Sequence, residues 1–327
     1  MKTALIIGAQ GALGSVAQKT FEDAGWRSVP AGRRRDERAG FRHVDLDRPE
    51  TIESALDGVD VAISTVAHPA RTAERLILER GGILINPTDL DDATAADIRR
   101  IVEPRGTVLA NAGLIPGLSN ILAAALVKHH PEADEIELGF TASARATAGR
   151  AGGEFAHRVL TNRARHATRS LPFPAPLGER PAIEYGEGEG GYLGRLAGER
   201  AVRSFISFDE PLISGALRLT NALGLFSVLP RRAFTLGRDK AVQEASKEPV
   251  GVWVGVRKRG ARLAGRRIRC RGDYRATAAA VLTYAEALIA STDRPRGLLF
   301  PDDVLDVDDV EGPLRAHAVE IDTFLKE

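Results

Sequence analysis

The chain has 327 residues, enough for two cores of ordinary domain size. Hydrophobic residues make up 43% and charged residues 27%, a globular composition that excludes disordered and fibrous classes. Lys plus Arg is 45 against 44 Asp plus Glu, and a net charge of +1 lacks the basicity of a dedicated nucleic-acid binder, so nucleic acid is not an expected partner.

Lys2 to Ile7 is an apolar run that stops at Gly8, as a buried parallel strand entering a turn does. Gly8-Ala9-Gln10-Gly11-Ala12-Leu13-Gly14 follows, and from Leu13 the apolar residues Val16, Ala17 and Phe21 recur at helical spacing until Gly25, a C-cap. A glycine turn between a strand and a helix lets the backbone approach a pyrophosphate, whose charge the free N–H groups and the positive helix end stabilise. Without a ligand the same residues would be only a tight turn. The GxxGxxG spacing is one residue longer than GxGxxG and is similar to that of extended dehydrogenase-like folds. Gly8, Gln10, Gly11, Ala12, Leu13 and Gly14 are the expected diphosphate cradle.

Trp26 to Ala31 reads as a second strand, and Gly32-Arg33-Arg34-Arg35 stands where NAD-specific proteins place a ribose-binding carboxylate. Guanidinium groups pair with a 2′-phosphate that a carboxylate would repel, so Arg33 and Arg34 favour NADP over NAD, the competing reading being a solvated charged turn. Asp45 and Leu46 are expected beside the adenine. A helix from Pro49 to Leu56 leads to a strand, Val59 to Ser64, whose end places Ser64 and Thr65 against phosphate or ribose. A helix at 71–80, a strand at 82–85, a helix at 93–102 and a strand at 107–109 continue an alternation that right-handed crossovers wind into a parallel sheet. The first domain is expected to end near residue 118.

Leu118 to His129 is a predicted helix and Glu135 to Thr141 an alternating strand. Residues 142–200 are rich in Gly, Arg, Pro and Glu, and the loop Glu184 to Gly191 reads as a lid or a mobile surface excursion. The apolar segment 212–226 is open to three readings: a greasy pocket, a dimer face of a homodimer, or a peripheral membrane contact. No stretch of about 18 apolar residues escapes charge, since Pro211 to Leu229 is broken by Arg218, so no membrane span is expected. Val250 to Arg257 and Arg266 to Gly272 form a predicted hairpin around a turn holding Gly260 and Gly265. On it Arg267, Arg269 and Arg271 share a solvated face, and Cys270 is a buried small hydrophobe. Thr277 to Ile289 is a predicted long helix. One cysteine forms no internal disulfide, and the run ahead of Gly8 is too short for a signal-peptide core, so a cytoplasmic location is expected.

Asn111-Ala-Gly-Leu-Ile-Pro-Gly-Leu-Ser-Asn120 resembles the turn with which the saccharopine dehydrogenase-like family leaves its last Rossmann strand for the substrate domain. Tyr274-Arg-Ala-Thr-Ala-Ala-Ala-Val and Gly297-Leu-Leu-Phe-Pro301 are similar to the end of that family, whereas 145–245 match it poorly. The resemblance implies a Rossmann-type doubly wound sheet over 1–118. It also implies a second α+β substrate domain over 119–327, with helices of 275–327 packing back on the first. It further implies a nicotinamide-linked reductase of C=N or C=C bonds in a small or lipid-like substrate.

The seven histidines show no HExxH or paired-cysteine spacing, so no metal is expected. The absence of a GxSxG elbow disfavours a serine hydrolase of that type, and no tyrosine has Lys four residues on, which removes the tyrosine–lysine acid pair resembling short-chain dehydrogenases. No proton donor is evident. Asn111, at a strand's carboxyl end, with Ser119 and Tyr185 as lesser choices, are the pocket candidates, each with a structural alternative. An NADP-dependent oxidoreductase is therefore weighed against a catalytically silent NADP-binding sensor or scaffold.

Overall fold

The computed structural model describes all residues except 35, 38–39, 143–155, 186–189, 209, 233–247 and 326–327. Arg35 and residues 186–189 of the expected Glu184–Gly191 loop thus lie outside the described residues, while the ends of that segment are not loop: Glu184 and Tyr185 close a strand and Gly190 opens the helix Gly190–Ala197. The chain divides into two compact units, Met1–Ile121 with Tyr274–His317, and Leu122–Asp273 with Ala318–Glu327.

The first unit holds a seven-stranded parallel sheet. Its strands are β1 (Thr3–Ile7), β2 (Arg27–Gly32), β3 (Arg42–His43), β4 (Val61–Ser64), β5 (Ile83–Asn86), β6 (Thr107–Ala110) and β13 (Gly297–Leu299). Their order, β13-β6-β5-β4-β1-β2-β3, reverses direction at β1, the signature of a Rossmann-type doubly wound fold. The strands are near-continuous apolar runs because helices cover the sheet: β1, β4, β5 and β6 are buried at every position. Connecting them are α1 (Ala12–Asp23), α2 (Pro49–Ala55), α3 (Thr72–Arg80) and α4 (Asp92–Ile98), the last capped by Asp91, whose carboxylate accepts from Thr94 N–H. Strand β13 arrives from far along the sequence and pairs with β6 as Leu298 opposite Val108.

The second unit is a mixed seven-stranded sheet, β14-β12-β11-β7-β10-β9-β8. Its strands are β7 (Glu135–Ala142), β8 (Thr168–Pro172), β9 (Glu179–Tyr185), β10 (Ala201–Phe208), β11 (Pro249–Lys258), β12 (Ala261–Arg271) and β14 (Glu320–Leu325). The tail strand β14 therefore belongs to the second unit, while the helices within 274–317 belong to the first. The β11–β12 hairpin is longer than expected and turns at Arg259 and Gly260 alone, both with positive φ (48° and 79°), as a two-residue primed turn requires. Gly265 is not in that turn. It sits within β12 opposite Gly255, and both glycines make room for the Trp253 ring.

Arg267 and Arg269 are not simply solvated: β14 sets Asp322 and Glu320 opposite them, with Arg267 Nε to Asp322 Oδ1 at 2.7 Å. Cys270 is buried, and burial pushes its thiol up to about 12. Glu137 is fully buried and held by Arg169 (2.8 Å), Arg257 and Arg262 (3.3 Å each) and by Trp253 Nε1, which donates at 3.0 Å. Loss of the Glu137 carboxylate would leave the buried Trp253 Nε1 donor without its acceptor and take one partner from three guanidiniums, so one side chain of β7 joins β8, β11 and β12.

A Cβ added at Gly265 would lie 1.9 Å from the Trp253 ring. Gly265→Ala is expected to lower stability by about 1–3 kcal/mol through overpacking, seen as a lower denaturation midpoint; an unchanged midpoint contradicts this packing.

Candidate functional site

The turn after β1 is built by glycines with separate duties. Gly8 takes φ +87°, and a Cβ there would lie 2.6 Å from Thr65 Oγ1 and Val66 Cγ2. Gly14 packs so closely on the turn that its Cβ would meet the Gly8 carbonyl oxygen at 2.1 Å. Gly11 is the N-cap of α1, with φ −84°, ψ 168° and no side chain to cap with. The first-turn N–H groups of Ala12, Leu13 and Gly14 consequently have no hydrogen-bond acceptor among the described residues. No acidic residue stands in that first turn to neutralise the positive end of the helix.

These groups open on a cavity of about 840 Å³ at the carboxyl edge of the sheet, where strand order reverses. Gly8, Gln10, Gly11, Ala12, Leu13, Gly14, Arg33, Arg34, Asp45, Leu46 and Thr65 all lie in its wall. Thr65 Oγ1 donates to the Ile7 carbonyl at 3.0 Å, joining β4 to the end of β1. Gln10 Nε2 donates to the Arg34 carbonyl (3.3 Å) and Asp36 Oδ2 (3.1 Å), tying the glycine turn to the arginine loop. Arg33 and Arg34 are exposed. Asp45 N–H donates to Thr51 Oγ1 at 2.9 Å, which fixes the 44–47 wall on the start of α2.

Ser64 departs from expectation. It is buried one residue behind the wall and its Oγ donates to the Val66 carbonyl at 3.4 Å, because strand alternation turns it away from the side Thr65 occupies. Asn111 is structural in its contacts. Its Oδ1 accepts from Leu90 N–H at 2.7 Å and its Nδ2 donates to the Leu90 carbonyl at 3.1 Å, so the side chain clamps the loop after β5. Ser119, fully buried, donates to Asn120 Oδ1 at 3.2 Å, and that oxygen also accepts from Gly117 N–H at 3.1 Å. Tyr185 belongs to the other unit, packed in its core edge-to-face with Phe140, ring centroids 5.9 Å apart. None of the three lines the cavity.

Sequence reasoning missed Asp47, His68 and Tyr274, which do line it. His68 Nε2 lies 3.0 Å from Asp47 Oδ1 and closes the wall between the loops after β3 and β4. The position of His68 just after β4, beside the reversal point, was the available signal. Tyr274, the second residue of the helix Asp273–Ala290, heads the stretch that resembles the family's end, but nothing local marks it as a cavity residue. In that helix Tyr284 is buried, its hydroxyl donates to the Gly113 carbonyl at 3.4 Å, and burial pushes its phenol up, away from proton donation.

A doubly wound Rossmann-type unit with a cavity at its reversal point, joined in sequence to a mixed-sheet unit, defines the class of protein. Its fold is saccharopine dehydrogenase-like: the apo, histidine-tagged saccharopine dehydrogenase (L-Glu forming) of Saccharomyces cerevisiae superposes with a TM-score of 0.59 at 13% identity, over 99% of this chain and 100% of that one. A C-terminal deletion mutant of Thermoplasma acidophilum aldohexose dehydrogenase matches 33% of this chain and 66% of its own, at 13% identity and a TM-score of 0.24. No protein-family model matches the sequence, and no curated protein sequence matches it.

Because Asn111 satisfies both backbone groups of Leu90, Asn111→Ala is expected to cost about 1–3 kcal/mol of stability. Chemical denaturation measures it; a variant as stable as the wild type would show that the clamp does not matter.

Proposed function

We propose that the protein is an oxidoreductase that binds NADP in the cavity of the first unit and reduces a C=N or C=C bond of a small or lipid-like substrate. The observation carrying this reading is the pairing of an uncapped α1 N-terminus with two exposed arginines around one cavity. The donor set fits a dinucleotide. Backbone N–H groups of residues 12–14 suit a diphosphate, Arg33 and Arg34 suit a 2′-phosphate, and Asp45 with Leu46 suit an adenosine. The cavity is also large enough for part of such a ligand.

The residues lining the glycine turn and Arg33 with Arg34 would hold the coenzyme, and its reduced nicotinamide would supply a hydride to the electrophilic carbon. The chain's own contribution is positional: the glycine turn and the clamped loops fix where the cofactor rests, and proximity supplies much of the rate. A protonated imine needs no strong acid, which agrees with the engagement of Asn111, Ser119 and Tyr284 in the fold. That same engagement favours a second reading, a silent NADP-binding sensor.

Stopped-flow loss of NADPH absorbance across imines and enoyl thioesters is the test of the enzyme. Turnover of one class supports it; tight NADPH binding with no turnover assigns the sensor instead. Arg33→Ala with Arg34→Ala is expected to weaken NADPH by about 1–3 kcal/mol and to leave NADH nearly unchanged. Equal losses for the two coenzymes contradict a 2′-phosphate contact.

A further inference from the structure

The helix Pro211–Leu223 of the second unit is apolar on two faces. Its inner face is anchored: Ile213 and Leu217 pack against the cluster around Phe226, and Asn221 clamps the His166 backbone, accepting from its N–H at 2.7 Å and donating to its carbonyl at 2.9 Å. Gly224, with φ +71°, ends the helix. Its outer face carries Leu212, Leu219 and Leu223, exposed at 88%, 61% and 58%, with Ala216 between them. Positions 212, 216, 219 and 223 fall on one narrow stripe, about 16 Å long at 1.5 Å per residue. Leu225 and Val228, 44% and 70% exposed, extend the apolar surface past the helix.

Charge distinguishes this surface from a protein-binding one. Residues 211–232 hold three arginines, Arg218, Arg231 and Arg232, and no Asp or Glu, in a chain where the two signs are otherwise balanced. Glu210, which precedes the segment in sequence, is the N-cap residue, where negative charge complements the helix dipole. A two-fold contact with a second copy would set arginines near arginines with no carboxylate on the segment to pair them. An anionic bilayer supplies both an apolar layer for the leucines and negative headgroups for the arginines.

We infer that the outer face of 211–232 is a docking surface for an anionic lipid bilayer, on which the helix lies in the interfacial plane without crossing it. No helix among the described residues is long and apolar enough to cross a membrane. The leucines insert between acyl chains, while Arg218 and Arg232 face headgroup phosphates and carboxylates.

Co-sedimentation of the full chain with phosphatidylcholine vesicles, with and without phosphatidylserine, tests the assignment. Wild type is expected to pellet with the phosphatidylserine vesicles at low salt and to release as salt rises. Leu212→Gln with Leu219→Gln and Leu223→Gln is expected to weaken binding by about tenfold or more, since three exposed leucines lose their burial. Arg218→Gln with Arg232→Gln tests the electrostatic half without touching the apolar stripe, and is expected to weaken binding several-fold and flatten the salt dependence. Wild type that stays in the supernatant, or pellets equally with both vesicles, overturns the proposal. A dimer seen by light scattering that the leucine variant breaks, without vesicle binding, also overturns it and assigns the face to a second copy.

Discussion

The approach of Gly14 to the Gly8 carbonyl is the constraint on which the first unit's site depends. With no side chain at either position, helix α1 starts directly on the turn that ends β1, and any Cβ at Gly14 would meet that oxygen at 2.1 Å. The helix therefore begins at the sheet edge with an N-cap that has no capping side chain. Gly8 adds the second approach, against Thr65 and Val66, which holds the loops after β1 and β4 together at the point where the strand order reverses. Cavity, free N–H groups and dipole follow from one packing contact.

Around that contact the polar side chains divide by role. Those buried behind the sheet edge are engaged within the fold: Asn111 and Ser64 with the backbone of Leu90 and Val66, and Ser119 with the Asn120 side chain, which in turn holds Gly117 N–H. Buried Arg71 and Glu74 pair at 3.4 Å, and Asn86 Nδ2 donates to Glu74 at 2.7 Å, so the loop after β5 is fixed by an inner network as well. At the cavity wall stand Arg33, Arg34, the backbone N–H groups and the Asp47–His68 pair, with Gln10, Asp45, Thr65 and Tyr274. The arginines and free N–H groups suit binding and positioning of a charged ligand.

The first unit was legible in the sequence because its signals are local. Strand, glycine turn and helix follow one another within residues 3–23, and the alternation through 110 needed only periodicity. Strands β8 and β9, hidden in a Gly- and Pro-rich stretch, escaped, and the rest of what escaped was non-local. Strands β13 and β14 carry little pattern of their own and exist because β6 and β12 offer edges to pair with. Arg267 and Arg269 looked solvated for the same reason, since their acidic partners lie more than fifty residues away in sequence. Gly265 imitated a turn residue, and only the Trp253 ring lying against it explains a glycine there. In the site, the glycine turn and the arginines were readable, while Tyr274 and the Asp47–His68 pair were not, because they converge on the cavity from separate segments.

Isothermal titration calorimetry of the full chain with NADPH and with NADH tests the central claim most directly. Saturable one-to-one heat with NADPH, and weaker heat with NADH, is the predicted result. A flat titration with both coenzymes at high concentration would mean that the uncapped helix start and its arginines hold no dinucleotide.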